Sequence, residues 1–122
     1  MAVTLAEINA QTVVLRELSS GEGDGIDFQR ALSFDDQDRR LGQDTYAITT
    51  PSGRAFYGGL RGVELEGSVL CLWLTDEAAS TLGLDGHFVI RLDITAEELK
   101  AVRDALPDVL GPEANGLFRI VE

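Results

Sequence analysis

Acidic residues crowd one short stretch of the sequence, and carboxylates are the side chains that hold hard metal ions or move protons. Residues 34–48 read FDDQDRRLGQDTYAI, with four aspartates and two arginines around one glycine. A calcium loop places its first oxygen ligands at alternate positions and closes with a glutamate. If Asp36 and Asp38 are the first two ligands, the third ligand position is occupied by Arg40, and the position of the closing glutamate is occupied by Ala47. This spacing argues against a calcium site, because a cation at position 40 would repel the ion.

The other reactive side chains form no catalytic set. His87 is the only histidine and follows Asp85-Gly86, which predicts an exposed residue at the start of a strand. Cys71, the only cysteine, lies in the apolar run VLCLWLT, where cysteine usually acts as a small buried hydrophobe. The sequence contains neither a G-x-S-x-G elbow nor a glycine loop that cradles phosphate. We therefore predict that the protein is not an enzyme and binds no metal or cofactor.

The charge of the chain indicates which partners it can bind. It has 21 acidic and 10 basic residues, a formal net charge of −11. Phosphate backbones and anionic lipids are bound by cations, so this balance argues against nucleic acids and membranes. It favours basic proteins, whose association complementary charge accelerates. An acidic surface that only keeps the protein soluble is the simpler alternative.

The N-terminal residues and the apolar runs of the sequence predict a cytoplasmic protein. The N-terminal residues MAVTLAEINA lack the basic region and apolar core of a signal peptide. The longest apolar run, Val69 to Leu74, is far shorter than the ~20 residues of a membrane-spanning helix. A single cysteine permits no intrachain disulfide. At 122 residues, the chain is predicted to form one domain over residues 1–122.

Alternating apolar residues predict a chain rich in short strands. The predicted strands lie at 12–18, 26–32, 45–50, 54–60, 63–67, 69–75 and 87–94, with further candidate segments at 3–8 and 117–122. Pro51-Ser52-Gly53 and Gly67-Ser68 are turn signals, and hairpin-length connections indicate antiparallel pairing. Strand 69–75 is apolar on both faces, so we expect it to be central and covered on both sides, with Trp73 and Phe88 in the core. Gly58-Gly59, within a predicted strand, indicates a bulge or a close approach of backbone.

Capping residues mark the helices. Thr75 starts a short helix that ends at Gly83, and the capping box Thr95-Ala96-Glu97-Glu98 starts a longer one, which Pro107 should kink or end. In the acidic stretch, Ser33 as N-cap with Asp36 at N3 predicts a short helix over 34–41. The fold class is therefore α+β: a single curved, mainly antiparallel sheet of about seven strands, with one short and one longer helix in the C-terminal half.

Three segments of this sequence also resemble a known family. DDQDRRLGQDTYAI, GRAFYGGL and LEGSVLCLWLTDEAASTLGL, in this order, are similar to immunity protein family ten of the bacterial polymorphic-toxin systems. The resemblance covers roughly residues 28–110 and leaves the first 25 residues and the last ten outside. It implies a cytoplasmic toxin-neutralising protein that binds a cognate toxin domain tightly and blocks its active site or its access to substrate.

The resemblance supplies no contact residues, so charge and side-chain chemistry select them. Carboxylates of the acidic stretch can face a basic toxin, and tyrosines are frequent anchors of interfaces. The predicted partner-binding residues are Asp35, Asp36, Asp38 and Asp44, with Tyr46 and Tyr57 as amphipathic anchors. Two alternatives remain open: a small ligand-binding or regulatory module with a pocket behind Gly58-Gly59, and a hydrolase that uses two buried carboxylates facing each other.

Overall fold

The computed structural model describes residues 1–9, 11–17, 24–31, 33–114 and 116–121. This part of the chain has an α+β fold, as predicted. Its strands are β1 (Ala2–Val3), β2 (Leu5–Ile8), β3 (Thr12–Arg16), β4 (Gly25–Gln29), β5 (Ala47–Thr49), β6 (Ala55–Tyr57), β7 (Leu60–Glu66), β8 (Val69–Leu74), β9 (His87–Leu92) and β10 (Phe118–Val121). Its helices are α1 (Asp36–Arg40), α2 (Asp76–Leu82) and α3 (Ala96–Leu110), and a 3₁₀ turn follows at Pro112–Ala114.

The strands form two sheets of five, so the prediction of a single sheet of about seven strands is not confirmed. Sheet A has the order β1-β9-β8-β7-β10, and sheet B has the order β2-β3-β4-β5-β6. Sheet B is antiparallel throughout. In sheet A the central strands are antiparallel, but the edge strands β1 and β10 run parallel to β9 and β7. The predicted edge strand at the C-terminus is therefore present, with a parallel partner.

The chain crosses between the sheets at two short connections, and these explain the difference from the prediction. Thr4 separates β1 in sheet A from β2 in sheet B, and its backbone N–H donates to the Arg16 carbonyl at 3.0 Å. Gly58-Gly59 returns the chain from β6 to β7, with φ of +73° and +92°. Residues with L side chains rarely adopt such angles. The predicted strand 54–60 is consequently two strands, each belonging to a different sheet.

One hydrophobic cluster joins both sheets to α2 and α3. The α3 residues Val102, Leu106, Val109 and Leu110 are buried, and the helix packs against β2, β3 and β4. Pro107 lies inside α3 and does not end it. Proline costs a helix one backbone hydrogen bond. The burial of Val109 and Leu110, in the last turn of the helix, offsets that cost. Among the described residues, no helix has the length and apolar character needed to cross a membrane.

Strand β8 is central in sheet A, but the prediction that both its faces are covered is wrong. Leu70, Leu72 and Leu74 are buried. On the opposite face, Cys71 is partly exposed and Trp73 is 36% exposed. The reason is that α3 packs on sheet B, so the helices leave the outer side of sheet A open.

Candidate functional site

The acidic stretch forms helix α1, and two of its aspartates hold the helix start. Asp35 is the N-cap: its carboxylate accepts from the Asp38 N–H at 2.7 Å, and the Asp38 carboxylate accepts from the Asp35 N–H at 3.0 Å. The capping box predicted at Ser33 and Asp36 is therefore two residues too early. The reason is that Asp35 and Asp38 satisfy each other's backbone donors, and both acids lie at the positive end of the helix dipole.

The remaining charges of this segment are exposed. Asp36 forms an ion pair of 3.1 Å with Arg39, and these side chains are 94% and 60% exposed. Such a surface pair contributes little to stability. Asp44 and Arg40 are also exposed, and no hydrogen bond or ion pair joins the Asp44 side chain to a described residue. With four aspartates and two arginines, the segment presents a net formal charge of −2.

Beside α1 lies an open cleft of about 400 Å³. Its floor is one row of outward-facing residues on the outer side of sheet B: Thr12 on β3, Gln29 on β4, Ala47 on β5 and Tyr57 on β6. Because β6 is the edge strand of sheet B, Tyr57 is 44% exposed at one end of this row. The floor is consequently a flat strip of polar and small side chains with an aromatic ring at its edge.

The wall of the cleft is the segment between β4 and β5. It contributes Arg30, Phe34, Asp38 and Gln43. Arg30 donates to the Leu110 carbonyl at 3.3 Å, at the C-terminal end of α3, where a cation is favourable. The same guanidinium lies 5.1 Å from the centre of the Phe34 ring. These contacts hold the start of the segment against α3.

Tyr46 holds the other end of the segment. Its ring is 3% exposed, and its hydroxyl accepts from the Leu60 N–H at 3.0 Å. Its carbonyl accepts from the Gly58 N–H at 2.9 Å. The D-T-Y and Y-G-G motifs therefore meet at the crossing from β6 to β7. Tyr46 positions the segment from beneath, and its buried ring is not available as a contact anchor.

The structure thus gathers most of the predicted partner-binding residues on one side of the molecule. Asp38 and Tyr57 both line the cleft, and Asp35, Asp36 and Asp44 belong to the segment that forms its wall. Sequence reasoning missed the wall residues Arg30 and Phe34. The signal was Arg30 itself, a charge on the apolar parity of a predicted strand, because such a residue requires a partner at the strand end.

A cluster of three polar side chains, Arg16, Asp27 and Thr49, stiffens sheet B, which forms the floor of the cleft. The Arg16 guanidinium makes a two-pronged contact with the Asp27 carboxylate, with one N–H···O distance of 2.9 Å, and the Thr49 hydroxyl donates to the same carboxylate at 3.3 Å. The hydrogen bond that Arg16 donates to the Asp27 carboxylate raises the pKa of Arg16. Paired arginine–carboxylate contacts of this kind fix geometry as well as charge. The three residues therefore tie β3, β4 and β5 together beside the cleft.

The described residues offer no geometry for acid–base or metal chemistry. In this part of the chain no charged side chain is buried. Nor do three or more His, Cys, Asp or Glu residues there lie together so as to hold a metal ion. The carboxylate-pair hydrolase requires two buried acids in a cleft, so the described residues lend it no support.

A comparison with known families adds an independent finding. The family model described as Immunity protein 10 matches residues 2–100. The match starts at β1, so it includes residues 2–25, in contrast to the expectation from the motifs. It ends within α3 rather than near residue 110. No curated protein and no solved structure matches the chain. Because the matched residues make up well over half of the 122, the chain belongs to the Immunity protein 10 family.

Proposed function

We propose that this protein neutralises a bacterial toxin domain by binding it, without catalysis of its own. Membership of the Immunity protein 10 family is the observation that carries this proposal. Its cognate partner would be a toxin domain of a polymorphic toxin system, encoded beside it, and the complex would form in the cytoplasm of the producing cell. The formal charge of −11 supports a basic toxin, because opposite net charges accelerate encounter.

The surface we assign to the toxin is the α1 surface, defined as Asp35, Asp36, Asp38, Asp44 and Tyr57 around the cleft. Two observations support it. Tyr57 is a large exposed side chain beside a cavity, and aromatic residues of this kind frequently dominate binding energy. The aspartates belong to the segment that forms the wall of the same cleft, and most of them are exposed, as charged residues are at the rim of an interface.

The two kinds of residue should act differently on the kinetics of binding. Exposed charges at a rim mainly set the association rate and its dependence on salt. A tyrosine buried in the interface mainly sets the dissociation rate, and truncating such an anchor costs about 2 kcal/mol or more, roughly a 30-fold loss of affinity. Asp35 and Asp38 also cap α1, so they are poor choices for a first test.

The ligand-binding alternative has less support. Small-molecule sites are mostly apolar and enclose their ligand. The cleft beside α1 is open, and its floor and wall contain three glutamine side chains, at positions 11, 29 and 43, in addition to Arg30 and Asp38. A polar, open cleft of this kind suits the side chain of a protein partner better than a small apolar ligand.

The test uses the toxin domain encoded beside the gene, co-expressed with this protein in a sensitive host. We expect the wild type to restore growth and to bind the purified toxin domain. Asp36→Asn with Asp44→Asn should lower the association rate and flatten its salt dependence. Tyr57→Ala should raise the dissociation rate by about 30-fold.

A matched control removes the same charge elsewhere. Asp104 and Asp108 are exposed on α3, so Asp104→Asn with Asp108→Asn changes the net charge equally at another element. If the control slows association as much as the α1 variant does, the effect comes from net charge and the α1 surface is not the site. If the wild type neither binds nor protects against the neighbouring toxin domain, the proposed function fails.

A further inference from the structure

The outer face of sheet A is a second exposed surface, separate from the α1 surface on sheet B. It consists of the side chains of sheet A that point away from the core. Trp73 is 36% exposed and Val89 39% exposed on neighbouring central strands, β8 and β9. The two residues are diagonal neighbours in the register, and apolar side chains that are exposed close together in the middle of a sheet indicate a contact surface.

One row of outward-facing side chains across this face is complementary to itself when its order is reversed. The register of the strands places Ala2, Arg91, Val69, Glu66 and Val121 side by side, from the edge strand β1 to the edge strand β10. Val69 on β8 is in the middle, a cation and an anion flank it, and a small or branched apolar residue stands at each end. If a second copy turns by 180° about an axis parallel to β8, each charge lies opposite its complement and each apolar residue opposite another.

The opposite end of the face has a fixed aromatic pair. The rings of Trp73 and His87 are stacked, with centres 4.8 Å apart and planes 7° from parallel. On its other side Trp73 packs on Gly62, where an added Cβ would lie 3.3 Å from the Trp73 ring. The same rotation places His87 opposite Gly62 of the second copy and the two Trp73 rings opposite each other. An anchor that is already rigid loses little entropy when it is buried.

Charge favours a second copy over a basic toxin as the occupant of this face. The chain carries a net charge of −11, yet Arg91 and Arg119 balance Glu64 and Glu66 on this face. Acidic copies repel one another least where the local charge is zero. In the middle row Val89 would lie opposite Glu64 of the second copy, whose charge is balanced by its register neighbour Arg119.

We propose that two copies of this chain associate through the outer face of sheet A, about a two-fold axis parallel to β8. The face measures roughly 20 Å by 20 Å from the spacing of its strands and residues. That is about half of the ~800 Å² per partner in a standard interface. The dimer is therefore weak, with a Kd on the order of micromolar or higher. This inference concerns a different surface from the proposed function and does not depend on it.

The test is a charge exchange across the interface, measured by sedimentation velocity over a range of concentrations. Arg91→Glu alone places Glu opposite Glu at two symmetric positions, and Glu66→Arg alone places Arg opposite Arg, so both variants should remain monomeric. An equimolar mixture restores an attractive pair at both positions, so it should associate as the wild type does. Arg40→Glu on α1, an equal charge reversal at an exposed site, should leave association unchanged.

A further variant, Trp73→Ala, should weaken association at least tenfold. Circular dichroism verifies that each variant is folded. The proposal is overturned if the wild type remains monomeric at about millimolar concentration, or if the mixture associates no better than its components. A wild type that remains monomeric while Trp73→Ala abolishes binding to the toxin domain would assign this face to the toxin instead.

Discussion

The crossing at Gly58-Gly59 permits a quantitative test of how the two sheets are joined. Substituting Gly59 by Ala forces an L side chain to a φ of +92° and places its Cβ 2.6 Å from the Cβ of Ala78 and 2.8 Å from the Phe56 ring. The left-handed backbone costs roughly 1–2 kcal/mol. Overpacking of a core costs typically about 1–3 kcal/mol. Together the free energy of unfolding should fall by about 2–5 kcal/mol.

Gly58→Ala is the matched control, because it changes the adjacent residue in the same way. Its φ is +73°, but the nearest atom to the added Cβ is Thr45 Cγ2, in ordinary contact at 3.8 Å. This variant therefore incurs the backbone cost alone, about 1–2 kcal/mol. The difference between the two variants measures the close approach of the chain to α2.

Urea unfolding, followed by circular dichroism and by the fluorescence of Trp73, measures both variants. We expect an unchanged m-value and midpoints in the order wild type, Gly58→Ala, Gly59→Ala. Agreement between the two probes verifies that the transition is two-state. Equal losses for the two variants, or a Gly59→Ala protein within about 0.5 kcal/mol of wild type, would refute the packing described at this crossing.

Two further predictions follow from single side chains. Tyr46→Phe leaves the Leu60 N–H without its acceptor, so the free energy of unfolding should fall by about 1–3 kcal/mol. Tyr57→Phe, on an exposed ring, should change that free energy by less than about 0.5 kcal/mol. Equal effects of the two substitutions in urea unfolding would contradict this prediction. Burial, and then the charges of Glu64 and Glu66, raise the pKa of Cys71, so its thiolate is scarce at neutral pH. Glu64→Gln with Glu66→Gln should lower that pKa and speed alkylation of Cys71 at pH 8, by less than about tenfold because burial remains. Glu97→Gln is the control. An unchanged alkylation rate in the double variant would contradict the assigned cause.

The local elements were predictable because neighbouring residues determine them. Thr95 and Glu98 form the predicted capping box, and Thr75 caps α2 as expected. The hairpin around Pro51-Ser52-Gly53 is present as β5 and β6. In each case the residues that decide the structure lie within a few positions of one another, so the pattern can be read directly from the sequence.

The arrangement of the strands was not predictable, because it depends on partners far apart in the chain. Strand β1 pairs with β9, which lies far along the chain, with Ala2 opposite Arg91, while β2 pairs with its neighbour β3. Only Thr4 lies between β1 in sheet A and β2 in sheet B, and a threonine does not indicate that the chain passes from one sheet to the other. The position of Arg30 at the end of α3 is non-local in the same way: its partner carbonyl belongs to Leu110, 80 residues later.

The structure brings most of the predicted partner-binding residues to one side of the molecule, but many of them have structural roles there. The charge of the acidic stretch predicts a binding surface, but Asp35 and Asp38 cap α1 and Tyr46 is buried beneath it. The motifs that carried the family resemblance therefore contain many residues that build the segment and few that are free to contact a partner. Exposed positions such as Asp36, Asp44 and Tyr57 can change without disturbing that frame, as the proposed function would require of residues that contact a particular toxin domain.

The two proposed surfaces lie on different sheets, and this separation has a consequence for how the protein would act. A dimer formed through the outer face of sheet A leaves both α1 surfaces open, because they lie beside the outer side of sheet B. Each copy can then bind one toxin domain, so the stoichiometry remains one to one whether or not the protein dimerises. Arg91→Glu should accordingly abolish self-association and leave the affinity for the toxin domain unchanged. Tyr57→Ala should weaken binding to the toxin domain and leave self-association unchanged. If either substitution altered both properties together, the two surfaces would not be independent and the assignment of at least one of them would be mistaken.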